Sequence, residues 1–198
     1  MDLQKLNVKI FSEPPDRAAL TDFIDLFHGW IQETDGIYHD VADYSHMQDG
    51  PGILLVADSA NVSIDESDHR RGLLFSQKNP LDGSNRERLA AVLRAALKYC
   101  RRLENETTLK EPIRFSGNEI TIAINDRLRA PNTEDTFNQV RPDMEAVAQQ
   151  LFGGAAFTLN RDTDRRKRFN VTLRTPQRFD VGILLENLQT HDGARADI

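Results

Sequence analysis

The run Ser84-Asn85-Arg86-Glu87, followed by Leu89, Val92, Leu93, Ala96, Leu97, Cys100 and Leu103, constrains this chain more than any other feature. Serine followed three residues later by glutamate is a capping box, in which each side chain satisfies a backbone amide left open at a helix start. The apolar residues then recur at steps of three and four. They share one stripe of a helix that reaches Leu103 or Glu104. A stripe of that length has to be covered by another layer. Leu6, Val8 and Ile10 alternate with Asn7 and Lys9, the period of two of a half-buried strand, which makes that layer a sheet.

The rest of the chain is read against this pair. Pro14-Pro15-Asp16 stops the first strand and offers Asp16 as the N-cap of a helix over 17–32, with Leu20, Phe23, Ile24, Phe27, Trp30 and Ile31 at helical spacing. Residues 37–44 are rich in β-branched and aromatic side chains and read as a strand. Residues 53–64 read as one long strand and 72–76 as its hairpin partner, across the charged turn 65–71. The polar stretch 104–112 is the best boundary in the chain. Beyond it, strands at 113–115 and 120–124 flank a turn at Ser116-Gly117-Asn118-Glu119. A helix spans 133–152, where Pro142 predicts a kink or a split. Strands at 157–160 and 169–174 surround a second charged turn, and Asp180 caps a last helix ending at Leu188. The polar tail, 191–198, reads as frayed. The expected class is α+β, a mainly antiparallel sheet with long amphipathic helices packed on one face. It divides into two loosely similar halves, 1–104 and 113–190, packed as one globular unit. The identity between the halves is too low to claim a duplication.

Composition narrows function by exclusion. A lone cysteine, Cys100, rules out an internal disulfide and a thiolate zinc cluster. The first residues lack the basic and apolar regions of a signal peptide, and the longest apolar runs fall far short of a bilayer span. The expectation is a cytoplasmic protein with no membrane segment. Residues 1–80 carry 6 basic and 14 acidic side chains, a poor match to nucleic acid. No nucleophile elbow, zinc-protease helix motif or dinucleotide-binding glycine pattern is present.

Chemistry-bearing residues gather in two places. His28, His39 and His46 lie in the first quarter of the chain, with Asp43 between the last two and Gly50 and Gly52 just beyond. On a helix, His39, Asp43 and His46 would share a face and suit a catalytic divalent metal. On a strand, His39 and Asp43 share one face and His46 leaves it, and the strand is the preferred reading. The Gly50-Pro51-Gly52 turn offers a close backbone approach for a small ligand, although it lacks the lysine and following helix of a phosphate loop. The second place is 161–178. There Arg168, Asn170, Thr172 and Arg174 project from one strand face, which suits RNA or an acidic partner or simply guards an edge strand. Asp65 to Arg71 reads as a solvated hairpin end, and Cys100 as a core residue.

Phe27-His28-Gly29-Trp30, Asp40-Val41-Ala42-Asp43-Tyr44-Ser45-His46, Gly50-Pro51-Gly52-Ile53 and Asn125-Asp126-Arg127-Leu128 with Ala130-Pro131-Asn132-Thr133 resemble a family of uncharacterised bacterial proteins of similar size. The resemblance implies a shared fold and a bacterial cytosolic origin. It implies no activity. The expected function is therefore a binding or accessory protein without a recognisable catalytic motif and without a cofactor. Self-association as a homodimer is expected through surplus apolar surface around Phe23, Phe27 and Trp30. The alternative is a metal-dependent hydrolase using His39, Asp43 and His46.

Overall fold

The computed structural model describes residues 1–47 and 49–189; the expected frayed tail lies outside them. In chain order the elements are β1 (Leu6–Ser12), α1 (Asp22–Glu33), β2 (Tyr38–Tyr44), β3 (Gly52–Ala57), β4 (Ala60–Asp65), β5 (Gly72–Gln77), α2 (Asn85–Glu104), β6 (Phe115–Ile124), α3 (Glu134–Leu151), β7 (Thr158–Arg161), β8 (Asn170–Arg174) and α4 (Val181–Gln189). The eight strands form one open antiparallel sheet in the order β2-β3-β4-β5-β1-β6-β8-β7. β1 pairs with β5 on one side and β6 on the other, so the strands of both halves belong to one sheet.

The helices lie on one face. The capping box holds α2 at its start, where the Ser84 hydroxyl accepts from the Glu87 amide and the Glu87 carboxylate accepts from the Ser84 amide. The α2 stripe packs on β1 and β5, and α3 and α4 pack beside it. α1 joins the same layer through Trp30, whose ring lies 6.2 Å from that of Tyr99 on α2 and 6.4 Å from Tyr38 on β2. Leu6, Val8 and Ile10 face these helices and are fully buried. Phe23, Phe27 and Trp30 are buried in the same core, so their apolar surface is covered by the chain itself and offers nothing to a partner.

Four local expectations are corrected. The run 53–64 is two strands, because Asp58-Ser59 turns the chain and pairs Val56 with Asn61. Residues 115–124 are one strand without a turn. Gly117 is required there for close approach, since a Cβ on it would lie 2.2 Å from the Phe179 carbonyl oxygen. α1 starts at Asp22, and Asp16 instead accepts from the Ala18 amide and from Arg71. The split expected at Pro142 is absent, since α3 runs through it as one element. Both Pro142 and Asn138, whose carbonyl loses its i+4 donor, are exposed, which leaves that carbonyl on the solvent side of the helix.

Candidate functional site

With helices on one face only, the alternate residues of the central strands form the floor of the other. The register places them in rows across the strands, with neighbours in a row about 4.8 Å apart. One row runs Asn160, Thr172, Thr121, Lys9, Leu74 across β7, β8, β6, β1 and β5. The row on one side holds Asn170, Ala123 and Asn7. On the other side Arg174 stands beside Glu119, and Phe11 beside Gly72 and Asp65. These residues line a cleft of about 450 Å³. Its floor sets hydroxyls and amides beside Lys9, Leu74 and Ala123, with the Thr121 and Thr172 hydroxyls 3.0 Å apart.

Two loops wall the cleft. The β4–β5 loop folds inward over the sheet, drawn by a buried ion pair. Lys9 Nζ lies 3.0 Å from Asp65 Oδ2 and donates to the Ser67 carbonyl at 2.8 Å. Asp65 is 1% exposed and also accepts from the Ser67 amide and hydroxyl. Arg70, farther along the loop, stacks on Phe11 with its guanidinium carbon 3.7 Å from the ring centroid. It grips Glu119 with two hydrogen bonds of 2.7 and 3.2 Å, while Arg174 donates to the same carboxylate at 2.9 Å. Burial pushes the Glu119 carboxyl up, but the two guanidiniums outweigh it and hold it below the usual glutamate value.

The β7–β8 loop forms the second wall. Asp164 holds it by accepting from the side chain and backbone of Arg166, which lowers its carboxyl to about 2. Asn132 donates to the carbonyls of Asp162 and Asp164. Lys167 then reaches Asp68 of the opposite loop at 3.0 Å and Asp162 at 3.3 Å. The two loops leave the sheet at opposite ends of this face, so the Lys167–Asp68 contact straps across the cleft. The Arg168 guanidinium, at the rim, has no hydrogen bond or ion pair among the described residues.

The charge count of the site follows. Lys9 and Asp65 cancel, as do Arg161 and Glu134. Arg70 and Arg174 share one carboxylate, and Arg168 has none. Lys167 between Asp68 and Asp162 returns one negative charge on the exposed strap. The cleft interior thus holds unsatisfied cationic hydrogen-bond donors in a protein whose net charge is −6. Its acidic groups are already engaged, and its described lining residues include no histidine or cysteine. The Ser67 hydroxyl donates to Asp65 at 2.6 Å, and that carboxylate is already paired with Lys9.

The residues singled out from sequence lie elsewhere. His28 is exposed on α1, opposite the buried Phe23, Phe27 and Trp30. His39 contacts Asp58 in the β3–β4 turn. Asp43 accepts from the Ser45 amide at 2.8 Å, and Ser45 holds its carboxyl low. His46 lies beside Tyr44 with ring centroids 6.4 Å apart. His39 and Asp43, four residues apart on edge strand β2, are separated by about 13 Å, far beyond the span of two ligands on one ion. Among the described residues no group of three histidine, cysteine or acidic side chains is arranged to hold a metal. His39, Asp43 and His46 are thus not brought together around one ion in this structure. Gly50 and Gly52 serve packing. Gly50 accepts from the Glu66 amide at 3.1 Å, and Gly52, at φ +60°, abuts the Ile64 carbonyl. Cys100 is fully buried, and burial pushes its thiol well up.

Of the cleft, sequence analysis found the Arg168-Asn170-Thr172-Arg174 face alone. It missed Lys9, Asp65, Arg70 and Glu119. The alternation of Asn7 and Lys9 with Leu6, Val8 and Ile10 was the available signal for Lys9. Comparison with family models, curated proteins and solved structures finds no match for the chain, so function is argued from this geometry. No described helix is long and apolar enough to cross a membrane.

Proposed function

We propose that the protein is a binding module whose open sheet face receives a small, polar, anionic ligand. The observation that carries this reading is the Arg70–Glu119–Arg174 cluster, two guanidiniums on one carboxylate at the edge of a floor of threonines and asparagines. An arginine presents five N–H donors. Arg174 uses one of them on Glu119, which leaves donors for an incoming oxyanion. The cleft volume falls within the range of small-molecule sites. The engaged state of Glu119 and Asp65 favours recognition over acid–base chemistry.

Pyrophosphate, a compact polyanion, tests this reading by thermal denaturation. A ligand at a hundred times its dissociation constant stabilises the folded state by about 2.7 kcal/mol, which raises the midpoint of a chain this size by roughly 5–10 °C. The shift is expected in the parent protein and is expected to vanish in the Arg70→Ala/Arg174→Ala double variant. An equal shift in both would remove the cleft from consideration.

A further inference from the structure

Resting on that reading, we infer that the ligand is a phosphorylated sugar carrying a second anionic group, laid along β8 between Arg174 and Arg168. Three observations point there. The first is the composition of the floor. Thr172, Thr121, Asn170 and Asn160 offer hydroxyls and amides that both donate and accept, the match for a hydroxyl-rich molecule. The second is the aromatic content. Phe11 is the cleft's one aromatic lining residue among those described, it is 8% exposed, and the Arg70 guanidinium already covers its face. A nucleobase finds no free ring to stack on, although stacking is a main source of base affinity.

The third observation is the placement of charge. Arg174 sits at one end of the β8 face, sharing Glu119 with Arg70, and Arg168 sits at the other end without a partner. Arg168 stands two residues before β8 and Arg174 at its end, so their Cα atoms are at most about 20 Å apart. Two arginine side chains reaching inward across that span leave the length of a small molecule charged at both ends. Arg161, whose charge is met by Glu134, brings to the Arg168 end a buried Nε without a hydrogen-bond partner. The Lys167–Asp68 strap crosses the same span, so a seated ligand would lie beneath it.

The test is titration calorimetry with fructose 1,6-bisphosphate, fructose 6-phosphate, fructose, ATP and citrate at low salt. The bisphosphate is expected to bind at least tenfold more tightly than the monophosphate, and free fructose not to register. Arg168→Ala and Arg174→Ala should each weaken the bisphosphate about tenfold or more. Both side chains are exposed, so the fold should survive, with circular dichroism as the check. Thr172→Val should weaken the sugar phosphates several-fold while leaving pyrophosphate unchanged, which separates hydroxyl recognition from charge. Arg174-dependent binding of ATP or citrate as tight as the bisphosphate would overturn the sugar assignment and leave the anion-binding reading standing. So would a Thr172→Val variant with unaltered sugar-phosphate affinity. Failure of every anion, pyrophosphate included, to bind at millimolar concentration would overturn both.

Discussion

Lys9 and Asp65 carry the largest single commitment of charge to the interior. Each is at most 9% exposed, and Asp65 accepts from Lys9 and from the amide and hydroxyl of Ser67. A buried pair of this kind contributes little net stability, yet breaking it by removing one partner strands the other. Lys9→Met is therefore expected to cost about 3–5 kcal/mol in urea denaturation. Adding Asp65→Asn, which removes the stranded charge, should recover much of that loss. A double-mutant cycle measures the coupling, and an additive result would contradict it. Glu119 makes the contrasting case of a carboxyl held low by arginines. Its folded-state value lies below the ordinary 4.5. The stability it supplies is complete above that ordinary value and is lost as pH falls through the folded one. The gap between the parent and Glu119→Gln should thus be constant near neutrality and shrink on acidification below about pH 4.5. In the variant the two arginines lose their shared anion, so its pyrophosphate affinity is expected to rise.

Among the elements, what was legible in sequence tracks how local the cause is. α2 was readable end to end, because its capping box and stripe lie within the helix itself. The helix-facing alternation of β1 was readable for the same reason. Residues 53–64 were misread because both halves of a hairpin bury apolar side chains, and only pairing partners reveal that Asp58-Ser59 turns the chain. The cleft was legible only on β8. Arg70, Glu119 and Lys9 come together through the β1–β5 and β1–β6 registers, and a register set by partners more than 60 residues away leaves no mark in any one segment. The histidines misled for the complementary reason. Their closeness in sequence became distance on an extended edge strand, where Asp40 and Asp43 instead keep an exposed edge charged. Gly52 makes the β2–β3 hairpin testable. It holds φ +60°, and a Cβ there would lie 2.0 Å from the Ile64 carbonyl oxygen. Gly52→Ala combines left-handed strain with a backbone clash and is expected to cost about 2–4 kcal/mol. Gly29→Ala on α1, where a Cβ meets open space, should be neutral or stabilise by about 1 kcal/mol. Equal effects at the two positions would refute the account of Gly52.

For the molecule as a whole, the decisive feature is the position of β1. It is the first strand made, yet it sits between β5 and β6 and joins the strands of 1–104 to those of 113–189. A fragment ending at residue 104 would leave the β6 edge of β1 unpaired, and it would strip α3 and α4 from α2. The remaining fragment would keep a three-stranded sheet, β6-β8-β7, with no α2 to cover its apolar face. Exposed edges and faces of that kind favour aggregation over folding. The chain is therefore expected to behave as one cooperative unit. Calorimetry should give a single transition with equal calorimetric and van't Hoff enthalpies. Fragments 1–104 and 105–198 should each lack a cooperative transition when expressed alone. Two separable transitions, or a fragment that melts cooperatively, would show that the halves are independent. The cleft adds a second readout, because its floor draws β1 and β5 from one half and β6, β7 and β8 from the other. Anion binding should accordingly be absent from either fragment and return only when co-refolding rebuilds the β1–β6 pairing.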